Sequence, residues 1–264
     1  RQRQMCIRDR TMPQYTLYVH SENTLLNFQH SGFQLGITTE TGTVYHTIDL
    51  SPNAGNKIEF KYDSYTPGET VPYTGRDILL TGKDAITAYN KLMLATSALN
   101  MYTSSLDYSM LMKNCNGSSV LLAERFIPGF ANDGSRIFDN LPGIFIGDEA
   151  NFLTSNPYFK NALYGIDNII TILENEGIDL GSDLLDITAF DDYIIISAGE
   201  ATYKLDSASN FWEQNDEGDF QTYLSRAFNQ CLIPFDIMSM ISPLYRTASD
   251  TTSPLVIDLD GDGV

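Results

Sequence analysis

Cys115, with His30 and His46 upstream of it, supplies the residue types and the chain order that nucleophilic chemistry asks for. Cys115 opens a run whose apolar members Val120, Leu121, Leu122 and Phe126 suit a helix packed by one face. Asn114 is a good N-cap residue, which puts Cys115 in the first turn. There the unpaired backbone N–H groups and the positive end of the helix dipole favour an anion. The thiolate is the nucleophilic form of cysteine, and a helix start is one place that supplies it at neutral pH. The same N–H groups can hold an oxyanion. A lone cysteine is weak on its own, because free cysteine is more often a small buried hydrophobe. The two histidines change that balance. Cys115 would attack a carbonyl as thiolate. His30 would take up its proton and later return it to the leaving group. A third group must hold the imidazole tautomer. Gln34 and Asp49 are fallback orienters, each equally at home as an ordinary strand residue, and a histidine pair also has a purely structural reading.

The elements that must position these residues can be read from periodicity. Tyr15 to Val19 alternates and reads as a short strand, residues 27–37 as a second, and Val44 to Asp49 as a third. Between the last two, Thr39-Glu-Thr-Gly-Thr43 is a hairpin turn. His30 thus begins one hairpin arm and His46 lies in the other, with His20 left in a loop-like stretch. Lys57 to Tyr62 reads as a fourth strand, and Arg76 to Leu80 as a short edge element after a Pro- and Gly-punctuated loop. From Asp84 the period changes. Ile86, Tyr89, Leu92, Met93 and Leu99 recur at helical spacing to about Asn100, and a Ser-rich connection leads to the cysteine helix.

His30-Ser-Gly-Phe-Gln-Leu-Gly36, then Gly42-Thr-Val-Tyr-His46, then Asn114-Cys115 resembles the circularly permuted papain-like thiol hydrolases. The nearest patterns are the lecithin:retinol acyltransferase-like and permuted NlpC/P60-like groups. The resemblance covers roughly residues 15–130. It implies an α+β fold, a permuted papain-like antiparallel sheet with helices, in which Cys115 is the nucleophile, His30 the base and His46 the third member. It implies no cofactor for catalysis, and a peptide or lipid/acyl substrate; peptide or amide cleavage and lipid ester cleavage both stay open. One departure is Asn116-Gly-Ser-Ser119, where bulkier polar or aromatic residues often follow the cysteine.

Past Phe130 the resemblance stops, at the breaker-rich Pro128 to Ser135. Residues 156–176 read as a helix, with Pro157 just inside its start, Gly177 just past its end and a stripe of Leu163, Ile166, Ile169, Ile170 and Leu173. Leu184 to Thr188, Tyr193 to Ser197 and Ala201 to Leu205 form a β-meander. Asp183, Asp186, Asp191 and Asp192 are better explained as solvated turn faces than as calcium ligands. Phe220, Leu224, Ala227, Phe228 and Cys231 suggest a further helix with Cys231 in its core stripe. The chain therefore divides into an artefactual or disordered stretch over 1–10, a hydrolase domain over 11–130, an α+β accessory region over 131–250, and the start of an Asp-rich segment over 251–264.

The formal charge of −18, from 34 acidic against 16 basic residues, argues against nucleic acid as a partner. No apolar run reaches the ~20 residues needed to span a bilayer. Three cysteines are too few and too scattered for a disulfide framework. Arg1 to Arg10 holds four of the 16 basic residues and resembles translated adapter read-through, so Cys6 carries no information. At the other end, Asp258, Asp260 and Asp262 alternate ahead of Gly263, as in the first half of an EF-hand-type loop. This stretch resembles the Asp-rich segment of type I-secreted, calcium-binding RTX-like bacterial proteins. Its implications are Ca²⁺ as ligand, an extracellular location, and a hydrolase module of a secreted toxin or effector. A non-catalytic structural or adhesive module of such a protein fits the acidic composition equally well.

Overall fold

Alternating apolar and polar residues build the first sheet, and the order of its strands decides where the candidate residues meet. The computed structural model describes residues 12–23, 29–73, 75–103, 108, 114–130, 141, 157–206, 210–215 and 218–222. Strands β1 (Gln14–Asn23), β2 (Gln29–Thr39), β3 (Gly42–Pro52), β4 (Ile58–Tyr65) and β5 (Gly75–Thr81) come first. They are arranged β4-β3-β2-β1-β5, with every neighbouring pair antiparallel. Leu17 and Val19 of β1, Phe33 and Leu35 of β2, Ile48 and Leu50 of β3, and Ile58 and Phe60 of β4 are all buried. The register aligns them on one face, since side chains alternate along a strand.

Helix α1 (Lys83–Thr103) packs against β1, β2, β4 and β5, and α2 (Cys115–Phe126) against β2 and β3. Beyond the Ile86, Tyr89, Leu92 and Leu99 stripe, Ala85, Ala88, Leu94, Ala95 and Ala98 of α1 are buried as well. A helix apolar on several sides is one that is covered on several sides. The second cover is α3 (Pro157–Asn175) and a second antiparallel sheet of β6 (Asp186–Ala189), β7 (Tyr193–Ala198), β8 (Ala201–Asp206), β9 (Phe211–Gln214) and β10 (Phe220–Thr222), in chain order across the sheet. Asn90 of α1, fully buried, pins this junction. Its Nδ2 donates to Leu180 O at 2.8 Å and to Asp183 O at 2.7 Å, and its Oδ1 accepts from Leu185 N–H at 3.0 Å. Arg125, in the last turn of α2, pairs with Asp167 of α3. Gly177, at φ 83°, ends α3, and the Ile178 N–H bonds back to Leu173 O at 3.0 Å, a Schellman closure.

The fold class is α+β: antiparallel sheets with segregated helices. Two readings of the chain need correction. His20 lies within β1 and is fully buried, not in a loop; the alternation of Tyr15 to Val19 simply continues through it. Phe220 belongs to strand β10 rather than to a helix, while Leu224, Ala227, Phe228 and Cys231 lie outside the described residues. Among the described residues no helix is long and apolar enough to cross a membrane.

Candidate active site

Cys115 is the first residue of α2 and only 4% exposed. Asn114 caps the helix in an extended conformation (φ −125°, ψ 175°), its Oδ1 accepting from Gly117 N–H at 3.0 Å. Its carbonyl accepts from Ser118 N–H at 3.2 Å. The Cys115 N–H, at the first helical position, has no acceptor along the helix. The helix start is seated on β2. Asn116 Nδ2 donates to Gln29 O at 3.2 Å, and Ser31 Oγ–H donates to Asn116 Oδ1 at 2.8 Å. Ser119 Oγ lies 3.1 Å from Ser31 Oγ. Asn116, Gly117, Ser118 and Ser119 are all buried. Ser119 Oγ also reaches the Ser31 carbonyl at 3.4 Å, so the first turns of α2 are tied to the strand by polar side chains.

His30, at the start of β2, connects the sulfur to the sheet. The imidazole hydrogen-bonds with Cys115, and its Nε2 is 3.3 Å from Asp49 Oδ1. Burial pushes the His30 imidazole towards its neutral form. The negative charge of Cys115, the hydrogen bonds the ring donates to Asp49 and Cys115, and the Asp49 charge outweigh that and hold it up at about 10. Burial likewise works against the Asp49 carboxylate. Hydrogen bonds from His20 and His30, with their charges, overcome it and hold Asp49 far below the usual carboxylate range. Cys115, His30 and Asp49 therefore form a chain of hydrogen bonds in which the Asp49 carboxylate favours the protonated imidazole.

Asp49 is itself held from β1. His20 Nε2 is 2.7 Å from Asp49 Oδ1, although a strand lies between them. The residue directly between is Gly32, paired with His20 on one side and Asp49 on the other. A Cβ on Gly32 would fall 2.3 Å from Asp49 Oδ1, 2.5 Å from Ile48 O and 2.8 Å from His20 Nε2. Glycine is what lets the imidazole reach across. Tyr73 stacks on His20 at 3.7 Å between ring centroids, 24° from parallel. His20 Nδ1 is buried without a hydrogen-bond partner. The His20 Nε2–H donates to the Asp49 carboxylate, which can only accept.

Tyr108 approaches the sulfur from the other side. Its backbone is tied to the β3–β4 turn by Tyr108 N–H to Asn56 O at 2.8 Å and by Asn56 Nδ2 to Tyr108 O at 3.4 Å. Asn56 sits at φ 56°, a left-handed position that asparagine tolerates. The Tyr108 hydroxyl hydrogen-bonds with Cys115. Burial first, then the sulfur's charge, push its pKa well above the ordinary phenol value, so it stays a proton donor.

The third residue differs from expectation. His46 stands on the face of β3 opposite Asp49, because three positions along a strand reverse the side. Its Nδ1 is 2.9 Å from Ser64 Oγ, and burial lowers its pKa. Asp49, a fallback in the sequence, is the residue that touches His30. His20 and Tyr108 were not singled out for the site. The signal available for His20 was its register opposite Gly32, two residues beyond His30 on the same face. Tyr108 belongs to no helix or strand, so no periodicity betrays it. Gln34 bonds Arg76, not a histidine. Asp258, Asp260 and Asp262 lie outside the described residues. Among the described residues no group of three or more His, Cys, Asp or Glu side chains is arranged to hold a metal ion. Comparison with family models, with curated proteins and with solved structures returned no match.

Proposed function

We propose that the chain is a cysteine-dependent hydrolase or acyltransferase in which Cys115 is the nucleophile, His30 the acid–base and Asp49 the orienting carboxylate. The observation that carries this reading is the position of His30, hydrogen-bonded to Cys115 on one side and to Asp49 on the other and held as imidazolium at neutral pH. The Cys115 thiolate attacks a carbonyl carbon. A sulfur–carbon bond forms, and the carbonyl pair moves to oxygen. The Cys115 N–H and the Tyr108 hydroxyl would supply hydrogen bonds to that oxygen. As the tetrahedral intermediate collapses, the bond to the leaving nitrogen or oxygen breaks and His30 gives that atom its proton. Neutral His30 then takes a proton from water or another acceptor, which attacks the thioester and releases Cys115. His20 keeps Asp49 in place throughout and never meets the substrate.

The same chemistry serves peptide, amide and ester bonds, so the acyl donor is defined here only as a carbonyl with a nitrogen or oxygen leaving group. The setting in a secreted, calcium-binding bacterial toxin or effector is part of the proposal and rests on the resemblance of the Asp258 to Gly263 segment. Iodoacetamide labelling at pH 7, read site by site by mass spectrometry, tests the nucleophile. Cys115 should label at least ~10-fold faster in the native chain than in His30→Ala, in line with the usual weight of a general base. Equal rates in the two, with circular dichroism unchanged, would refute the assignment.

A further inference from the structure

We propose that Arg76 and Gln34 form a subsite for a carboxylate of the substrate, on the sheet face that carries His30 and Asp49; this rests on the reading of Cys115 as the nucleophile. Tyr18 and His20 of β1, His30, Gly32, Gln34 and Gly36 of β2, and Tyr45, Thr47 and Asp49 of β3 share that face through their register. Arg76, on the edge strand β5, is paired with His20, and its side chain runs back across β1. Its Nη1 donates to Gln34 Oε1 at 3.1 Å. Its Cζ is 5.3 Å from the Tyr18 ring centre and 4.9 Å from that of Tyr45. Gly36 makes this closure achievable, because a Cβ there would meet Tyr45 Cε1 at 3.1 Å and Tyr18 Cε2 at 3.3 Å.

Two groups here have donor capacity left over among the described residues. Gln34 is fully buried, and its Nε2 has no hydrogen-bond partner. Arg76 is exposed and, among the described residues, forms no ion pair. That is unexpected in a chain with 34 acidic residues against 16 basic, where a carboxylate is easily found for a structural arginine. Gln34 fixes one corner of the guanidinium and two tyrosine rings fix its position, while among the described residues the remaining N–H groups stay unclaimed. A planar guanidinium held in this way matches the two oxygens of a carboxylate. In an acidic protein it is also the local attractor for an anionic group. His30 and Gln34 are four residues apart on β2, roughly 13 Å at the rise of a strand. The carboxylate therefore lies at that distance from the reacting carbonyl, not beside it.

The test uses two chloroacetamide probes with a saturated chain of about ten carbons, one ending in a carboxylate and the other in a primary amide. Labelling rates at Cys115 are compared in the native chain, Arg76→Gln and Gln34→Met. The carboxylate probe should label the native chain about tenfold faster than the amide probe, the worth of one charge-assisted hydrogen bond. Arg76→Gln should bring the ratio to about one and Gln34→Met should reduce it, with iodoacetamide rates unchanged in both. A ratio of one in the native chain, or a preference that survives Arg76→Gln, overturns the subsite. Calorimetry on Cys115→Ser with the two unreactive acetamide analogues makes the same comparison without the nucleophile. A carboxylate preference there alongside slow iodoacetamide labelling would retain the subsite and remove the nucleophile; no preference removes the subsite whatever Cys115 does.

Discussion

Replacing Gly32 with alanine adds one methyl group at the point where the site has least room. The new Cβ would stand 2.3 Å from Asp49 Oδ1, 2.5 Å from Ile48 O and 2.8 Å from His20 Nε2. Two of these are side-chain atoms that can turn away, but Ile48 O is backbone in the adjacent strand, so the sheet cannot simply absorb the methyl. The cheapest relief swings the carboxylate away, which breaks the 2.7 Å bond from His20 and lengthens the 3.3 Å contact to His30. Overpacking costs about 1–3 kcal/mol, and a lost hydrogen bond to a buried charge about 1.5–3 kcal/mol. The two overlap, because the movement that relieves one causes the other, so a combined loss of about 2–4 kcal/mol is expected. Urea unfolding at pH 7 measures it, with an unchanged slope showing that the unfolded state is the same. Iodoacetamide labelling of Cys115 should slow together with the stability loss. A Gly32→Ala chain as stable as the native one and equally reactive would refute the claim that His20 reaches Asp49 across this residue.

Asp49→Asn acts on pH dependence. The depressed Asp49 carboxyl contributes stability that is present above its unfolded value near ~4 and lost as pH falls. The raised His30, at about 10, contributes stability that is fully present below ~6.5 and lost as pH rises through its folded value. Urea midpoints across pH should therefore show a flatter acid limb in Asp49→Asn and an alkaline limb moved to lower pH; coincident curves would contradict the coupling. His46→Ala should leave Cys115 labelling within about twofold of native, since His46 faces away and bonds Ser64; a tenfold loss would restore it to the site. Asn90→Leu strands the Leu180 and Asp183 carbonyls and the Leu185 N–H. It should cost about 2–4 kcal/mol in urea unfolding with labelling of the remaining folded protein unchanged, whereas a cost under about 0.5 kcal/mol would show that the junction is not pinned there.

The cysteine helix is legible in sequence because its signals are local: an asparagine cap, a following apolar run and a long helix before it. The hairpin arms carrying His30 and His46 are legible for the same reason. What sequence does not show is which strand faces touch. His46 and Asp49 are three positions apart on one strand, so only the register with Gly32 decides that the aspartate, not the histidine, meets His30. His20 depends on two strand pairings at once, and Tyr108 on a turn at Asn56 that is remote in sequence. The bonds of Asn116 and Ser119 to Ser31 likewise become readable only after the strand beneath α2 is known.

His30 is held protonated by the Cys115 sulfur and Asp49 together. Histidine side-chain NMR titration follows this directly, with the His30 signal assigned by its loss in His30→Ala. In the native chain the His30 ring should keep its second proton until about pH 10. After carbamidomethylation the charge and hydrogen bond that Cys115 lends to His30 are gone, and the midpoint should fall while staying higher than it does in an alkylated Asp49→Asn chain. A His30 midpoint near ~6.5 that does not move when Cys115 is alkylated would contradict the proposed nucleophile–imidazole pair.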